Sequence, residues 1–146
     1  MLKKVMAEVK PSTTAHVFYH TADFDGKASG AIAGYFFKQY AKVPVSLHPW
    51  NYGWDVKKIE GIKPEDLVFF IDVSPNPKEF LLDIQNKFGC KVILIDHHLS
   101  TINGLDTTKL FDCHLSTDFA ACELAWQYFF PDHPVHPVVH LLGRYD

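Results

Sequence analysis

Apolar runs that stop abruptly at acids and histidines recur along this chain. In residues 91–98, Lys-Val-Ile-Leu-Ile-Asp-His-His, four consecutive branched apolar side chains lie between Gly89 and a polar end. That pattern reads as a strand buried on both faces, the kind found in parallel sheets. Residues 15–20 form a second such run leading into Thr-Ala-Asp-Phe-Asp-Gly, and residues 66–72 a third that ends in Asp72. Residues 43–48 predict a further strand, with Pro44 marking its start or an edge position, and an extended piece is expected near 109–114. Between these runs the apolar spacing turns helical. Small residues recur through 26–37, and Phe80, Leu81, Ile84 and Phe88 share one face of a helix that starts after the Ser-Pro-Asn-Pro stretch at 74–77 and ends at Gly89. Ser116 and Thr117 are expected to cap a helix running through Ala120, Ala121, Leu124, Ala125 and Tyr128 to Phe130, which Pro131 stops. Another helix is expected to begin near residues 133–142, and the first dozen residues read as an arm or short edge element without a site. The alternation predicts an α/β fold, a mostly parallel β-sheet flanked by helices on both faces.

Three strand ends deliver His20, Asp23, Asp25, Asp72, Asp96, His97 and His98 to one sheet edge. Ligands of open α/β sheets bind outside the carboxyl ends of the strands, so this edge is where chemistry is expected. Any one of the acids could be a turn former or a helix cap. The threefold repetition, with histidines included, points to more. Carboxylates crowded together repel and desolvate one another unless a cation neutralises them, so the cluster predicts a metal site. The helix that follows Asp25-Gly26 turns free N–H groups toward the same edge, which suits an anion such as phosphate.

Composition narrows the class. The 146 residues, 47% of them hydrophobic, are enough for one domain with a substantial core. A net charge of −3 argues against a surface that coats nucleic acid, so long duplexes are not expected partners. Cys90, Cys113 and Cys122 form no CxxC pair, and Cys122 has the apolar neighbours of a core residue. Without a signal peptide or an apolar run long enough to span a bilayer, a reducing cytoplasm is the expected setting and no membrane partner is expected. The segment 49–54, Pro-Trp-Asn-Tyr-Gly-Trp, reads either as a packed surface loop or as an element that stacks on a base or covers the site, and His48 shares that ambiguity. His133, His136 and His140 have helical spacing, but with two intervening prolines they read as a helix start at the surface.

With these residues in place, the chain resembles the DHH phosphoesterase family, whose naming motif stands here as Asp96-His97-His98. His20-x-x-Asp23-x-Asp25-Gly26 with Ser29 resembles the family's first motif, Asp72 after an apolar strand the second, and Gly143-Arg144-Tyr145-Asp146 the fourth. The resemblance implies a Rossmann-like DHH domain spanning residues 1–146, without the C-terminal substrate-binding domain into which most members continue. It implies two Mn²⁺ ions, with Mg²⁺ as an alternative, sharing Asp72: one held by His20, Asp23 and Asp72, the other by Asp25, Asp72, His97 and Asp146. Hard carboxylates with a few imidazoles and no thiolate suit these metals. The implied reaction is attack of a bridging hydroxide on phosphorus, with His98 as phosphate contact or proton donor and Asp96 orienting a histidine from behind. Ser29 and Arg144 are expected to bind phosphate oxygens. The expected substrates are small nucleotides: short oligonucleotides, cyclic dinucleotides or 3′-phosphoadenosine 5′-phosphate. Two alternatives stay open: a pyrophosphatase or exopolyphosphatase, and a metal- or nucleotide-binding module or fragment without turnover. Whether the chain forms a homodimer is not decided by the sequence.

Overall fold

A computed structural model describes residues 1–145. Five strands, β1 (Ala15–His20), β2 (Val45–Trp50), β3 (Leu67–Ile71), β4 (Lys91–Asp96) and β5 (Asp112–Leu115), form one sheet in the order β2-β1-β3-β4-β5. Every ladder is parallel. The sheet is thus an all-parallel version of the expected one, and the chain needs crossovers between its strands.

The crossovers cover both faces. On one face α1 (Leu2–Met6), α2 (Phe24–Tyr35), α5 (Ala121–Phe129) and α6 (Pro137–Gly143) pack over Val17, Phe69, Ile71, Ile93 and Ile95. On the other, α3 (Phe80–Phe88) and the segment around Ile59 and Ile62 cover Phe18, Val68, Phe70, Val92 and Leu94. Alternating residues of β3 and β4 go to opposite cores, which is why these strands read as continuous apolar runs. A short helix, α4 (Leu99–Gly104), follows β4 directly. Gly89 ends α3 in the left-handed region, φ 68°, where a residue without Cβ is favoured.

Three local expectations differ from the fold. The first dozen residues contain α1, whose Val5 is wholly buried, so this segment contributes to the core. Helix α2 begins at Phe24 and runs on through a π-helical turn, Phe36–Ala41, that buries Phe36 and Phe37. Helix α5 starts at Ala121, beyond Ser116 and Thr117, and its cap comes from a distant part of the chain, as described below.

The strand order places the first reversal of chain direction across the sheet between β1 and β3. From β1 the chain moves outward to β2 and then returns to the opposite side of β1. Crossovers on the two sides diverge there and leave a crevice at the strands' carboxyl ends. His20 ends β1, Asp72 follows β3, and Asp96 ends β4.

Candidate metal centre

Asp72 is the pivot of that crevice. Its backbone has φ 63°, a left-handed conformation uncommon for a residue with a Cβ, and its N–H donates to the Ile95 carbonyl at 3.0 Å. The strand therefore stops with a sharp turn that aims the Asp72 carboxylate along the sheet edge instead of into either core. Such a turn costs about 1–2 kcal/mol, less for aspartate than for a β-branched residue.

The carboxylate has one histidine on each side. Oδ1 lies 3.1 Å from His97 Nε2, and Oδ2 lies 3.6 Å from His20 Nδ1. Burial, with Asp25, Asp23 and Asp96 adding their negative charge, pushes the Asp72 carboxyl up to about 6, although the His97 hydrogen bond works the other way. This group is costly to ionise in the bare protein and would be relieved by a cation.

On the His20 side, Asp23 is the N-cap of α2. Its Oδ1 accepts from the Gly26 N–H at 2.8 Å, and its Oδ2 lies 3.4 Å from His20 Nδ1. The other nitrogen of His20, Nε2, lies 3.3 Å from Asn51 Oδ1, so it carries the proton that the amide oxygen accepts. Nδ1 is then a buried lone pair facing two carboxylates. Among the described residues, His20 Nδ1 and Asp72 Oδ2 are buried and have no hydrogen-bond partner. Acceptors turned toward one another without a donor are the arrangement a divalent cation resolves. The residues present therefore fit a metal ion.

On the other side, Asp96 is fully buried and organises the turn after β4. Its Oδ1 accepts from the N–H of His97 at 2.8 Å, from that of His98 at 3.3 Å, and from His98 Nδ1 at 2.7 Å. Against the cost of burial, the His98 hydrogen bond and charge hold the Asp96 carboxyl below the usual range; the same hydrogen bond raises His98. The histidine that Asp96 orients is thus His98. Its ring is pinned through Nδ1, which leaves Nε2 as the atom that can meet a ligand.

Donor atoms of two groups come within 4.8 Å of one another: His20, Asp23 and Asp72 in one, and Asp72, Asp96, His97 and His98 in the other. Asp72 belongs to both.

Asp25 and Ser29 are tied into the packing beside the centre. Asp25 is buried and caps helix α5 across 96 residues of sequence: Ala121 N–H donates to Oδ2 at 3.1 Å and Cys122 N–H to Oδ1 at 2.8 Å. A carboxylate at a helix N-terminus satisfies its first free N–H groups. Oδ2 also lies 3.4 Å from His97 Nε2, so Asp25 borders the centre while staying outside both groups. Ser29 is wholly buried, with its hydroxyl donated to the Asp25 carbonyl at 2.8 Å. Arg144 is exposed beyond α6, and Asp146 lies outside the described residues. Glu123 is buried: it accepts from the Ala120 N–H at 3.2 Å and pairs with His140 Nδ1 at 2.9 Å. His136 accepts from the Val138 N–H at the start of α6.

Two neighbours of the centre escaped the motif reading. Asn51 holds His20, and the Tyr52 ring lies edge-on to both His20 and His98, at centroid distances of 5.1 and 6.3 Å. The signal was available in part, because both follow a strand's carboxyl end. What the sequence did not show is that β2 pairs with β1 so that Trp50 lies opposite His20.

The profile of the DHH family, N-terminal domain, matches residues 14–140. Among curated proteins none matches the chain by sequence. Among solved structures, the crystal structure of an uncharacterized protein from Helicobacter pylori G27 is similar, with a TM-score of 0.61 and 20% identity over 86% of this chain. The present chain spans 39% of that protein's length, and the likeness is one of fold.

Proposed function

This chain belongs to the DHH family, and from that premise we propose that it is a Mn²⁺-dependent phosphohydrolase acting on phosphoester bonds of small nucleotides. Membership gives the coarse class, a protein of a phosphoesterase superfamily whose members are in general metal-dependent phosphohydrolases. The metal, the bond cleaved and the substrate are our reading. The observation that carries it is the position of Asp72, whose two oxygens face two donor groups on opposite sides.

His20, Asp23 and Asp72 would hold one cation; Asp72 and His97, bordered by Asp25 and joined by Asp146, would hold the other. Divalent cations so bound supply Lewis-acid polarisation of a phosphoryl oxygen and a nucleophile from water at neutral pH. The protein's own part lies in positioning. Asp96 fixes the tautomer and the angle of His98, and in its protonated form His98 offers Nε2–H to a phosphate or leaving-group oxygen. Asn51 holds His20 so that Nδ1 faces the carboxylates. Tyr52, edge-on to both rings and half-exposed, lies where it can shield the site or stack on a base. The acidic balance favours a small substrate over a long polyanion.

The test is product analysis after incubating the Mn²⁺-loaded protein with dinucleotides, cyclic di-AMP, 3′-phosphoadenosine 5′-phosphate and pyrophosphate. We expect turnover of one nucleotide class, abolished in Asp72→Asn. Turnover of pyrophosphate alone would move the function to phosphoanhydrides, and turnover of none would leave a binding module.

A further inference from the structure

One cavity of the described residues, about 640 Å³, is not the metal crevice. It lies beside the edge strand β2, and none of its lining residues belongs to the two metal-binding groups. The loop after β2 separates the two places. Asn51 and Tyr52 touch the histidines of the metal centre, whereas Trp50, Gly53 and Trp54 line the cavity.

A chain of three buried or half-buried groups ends in this cavity. Asp66 is wholly buried, accepting from the Thr14 N–H at Oδ1 and the Lys63 N–H at Oδ2, each at 2.9 Å. His16 Nε2 lies 3.1 Å from Asp66 Oδ2, and His16 Nδ1 lies 3.2 Å from His48 Nε2. The backbone N–H groups and His16 outweigh burial and hold Asp66 ionised below the usual carboxylate range. Asp66, held ionised, accepts from His16 Nε2–H, and His16 Nδ1 shares a hydrogen bond with His48 Nε2, so His48 Nδ1 is the ring nitrogen left outside the chain. Burial, with His16 alongside, lowers His48 and favours its neutral form. No hydrogen bond among the described residues engages His48 Nδ1.

The same histidine belongs to a stack of rings. Phe70 stacks on Phe18 at 4.7 Å and Phe18 on His48 at 4.5 Å, and the His16 ring lies nearly parallel to His48 at 5.4 Å. Trp50 meets Phe18 and Trp54 edge-on, so two indoles stand beside the stack. At the rim, the carboxylates of Asp55 and Glu60 outnumber the single cation, Lys58. A free phosphate would meet net repulsion there; a neutral ring with N–H donors would meet acceptors.

We infer that this cavity is a nucleobase site, separate from the metal centre, for a purine that presents adjacent N–H groups, as guanine does. The ring packs along the Phe70–Phe18–His48 stack against Trp54, with its adjacent N–H groups donating to a rim carboxylate. The volume holds a two-ring base with its sugar. Because one short loop carries both Trp54 and the Asn51 that holds His20, an occupied cavity would steady the loop at the metal centre.

Guanosine titrated into the full chain, followed by tryptophan fluorescence, tests this without turnover, since a nucleoside offers no phosphoester. Saturable quenching is expected, with affinity at least tenfold weaker for 1-methylguanosine, which lacks the N1–H, and for Trp54→Ala, whose target is half-exposed and leaves the core intact. Asp72→Asn should bind guanosine as tightly as the parent. No saturation with guanosine, or equal affinity for 1-methylguanosine, would overturn the site. Loss of binding in Asp72→Asn would place the nucleoside in the metal crevice and also overturn it, whatever the phosphohydrolase assay shows.

Discussion

At the scale of single residues, carboxylates do three different jobs in this chain, and burial alone does not distinguish them. Asp72 faces acceptors and histidines, Asp25 ties down a helix, and Asp66 receives two backbone N–H groups and one imidazole. Asp66 gives a clean pH signature because two backbone N–H groups and His16 together hold its buried carboxyl in the ionised form. Its carboxyl is lower in the folded chain than in the unfolded one, so the unfolded state binds more protons on acidification. The stabilisation is full above pH ~4, the unfolded value, and is lost as pH falls through the folded value. Urea denaturation should show Asp66→Asn less stable than the parent at pH 7 by about 1–3 kcal/mol. The gap should close below pH 4, and an unchanged acid limb would remove Asp66 from the account.

At the scale of elements, α2 lies unusually close to the end of β1. A Cβ at Gly26 would stand 2.0 Å from the His20 carbonyl oxygen, a backbone atom that cannot step aside, whereas one at Gly30 would meet the Tyr19 ring at 2.7 Å. Gly26→Ala should therefore cost on the order of 3 kcal/mol and displace His20 and Asp23 together. Gly30→Ala should cost less, about 1–2 kcal/mol, because the whole Tyr19 side chain can shift where a backbone carbonyl cannot. Thermal melts of the two variants beside metal-binding isotherms check both, and the isotherm should weaken only for Gly26→Ala. The strands were legible because alternate residues face two apolar cores and their ends carry polar residues. The start of α5 was not: Ser116 and Thr117 are sound caps by local chemistry, yet the helix takes its cap from Asp25, which only the packing of α2 against α5 brings near.

At the scale of the whole molecule, the centre exists because three strands end side by side, so a ligand that joins them links the folding of β1, β3 and β4. A cation that binds only the folded chain stabilises it by about 2.7 kcal/mol at a hundredfold excess over its Kd, or roughly 5–10 °C in Tm for a chain of this size. Saturating Mn²⁺ should raise the Tm of the parent by that amount and leave Asp72→Asn nearly unmoved. An equal rise in both would locate the binding elsewhere.

Sequence by itself determined the fold class, the strands buried on both faces and the crowding of acids and histidines at one edge. Each of these depends on local periodicity and on which residue ends a run, both of which are properties of neighbours in the chain. Tertiary structure decided the rest. Alternation of strands and helices does not set the strand order, and that order puts Asp72 between His20 and His97, lays Trp50 opposite His20, and joins His16, His48 and Asp66 across residues far apart in sequence. Ser29 turned inward for the same reason, since the face a helix buries follows from what packs against it. Which histidine Asp96 holds was settled by the angle of the chain leaving β4, a geometry that Asp-His-His as a string of letters does not contain.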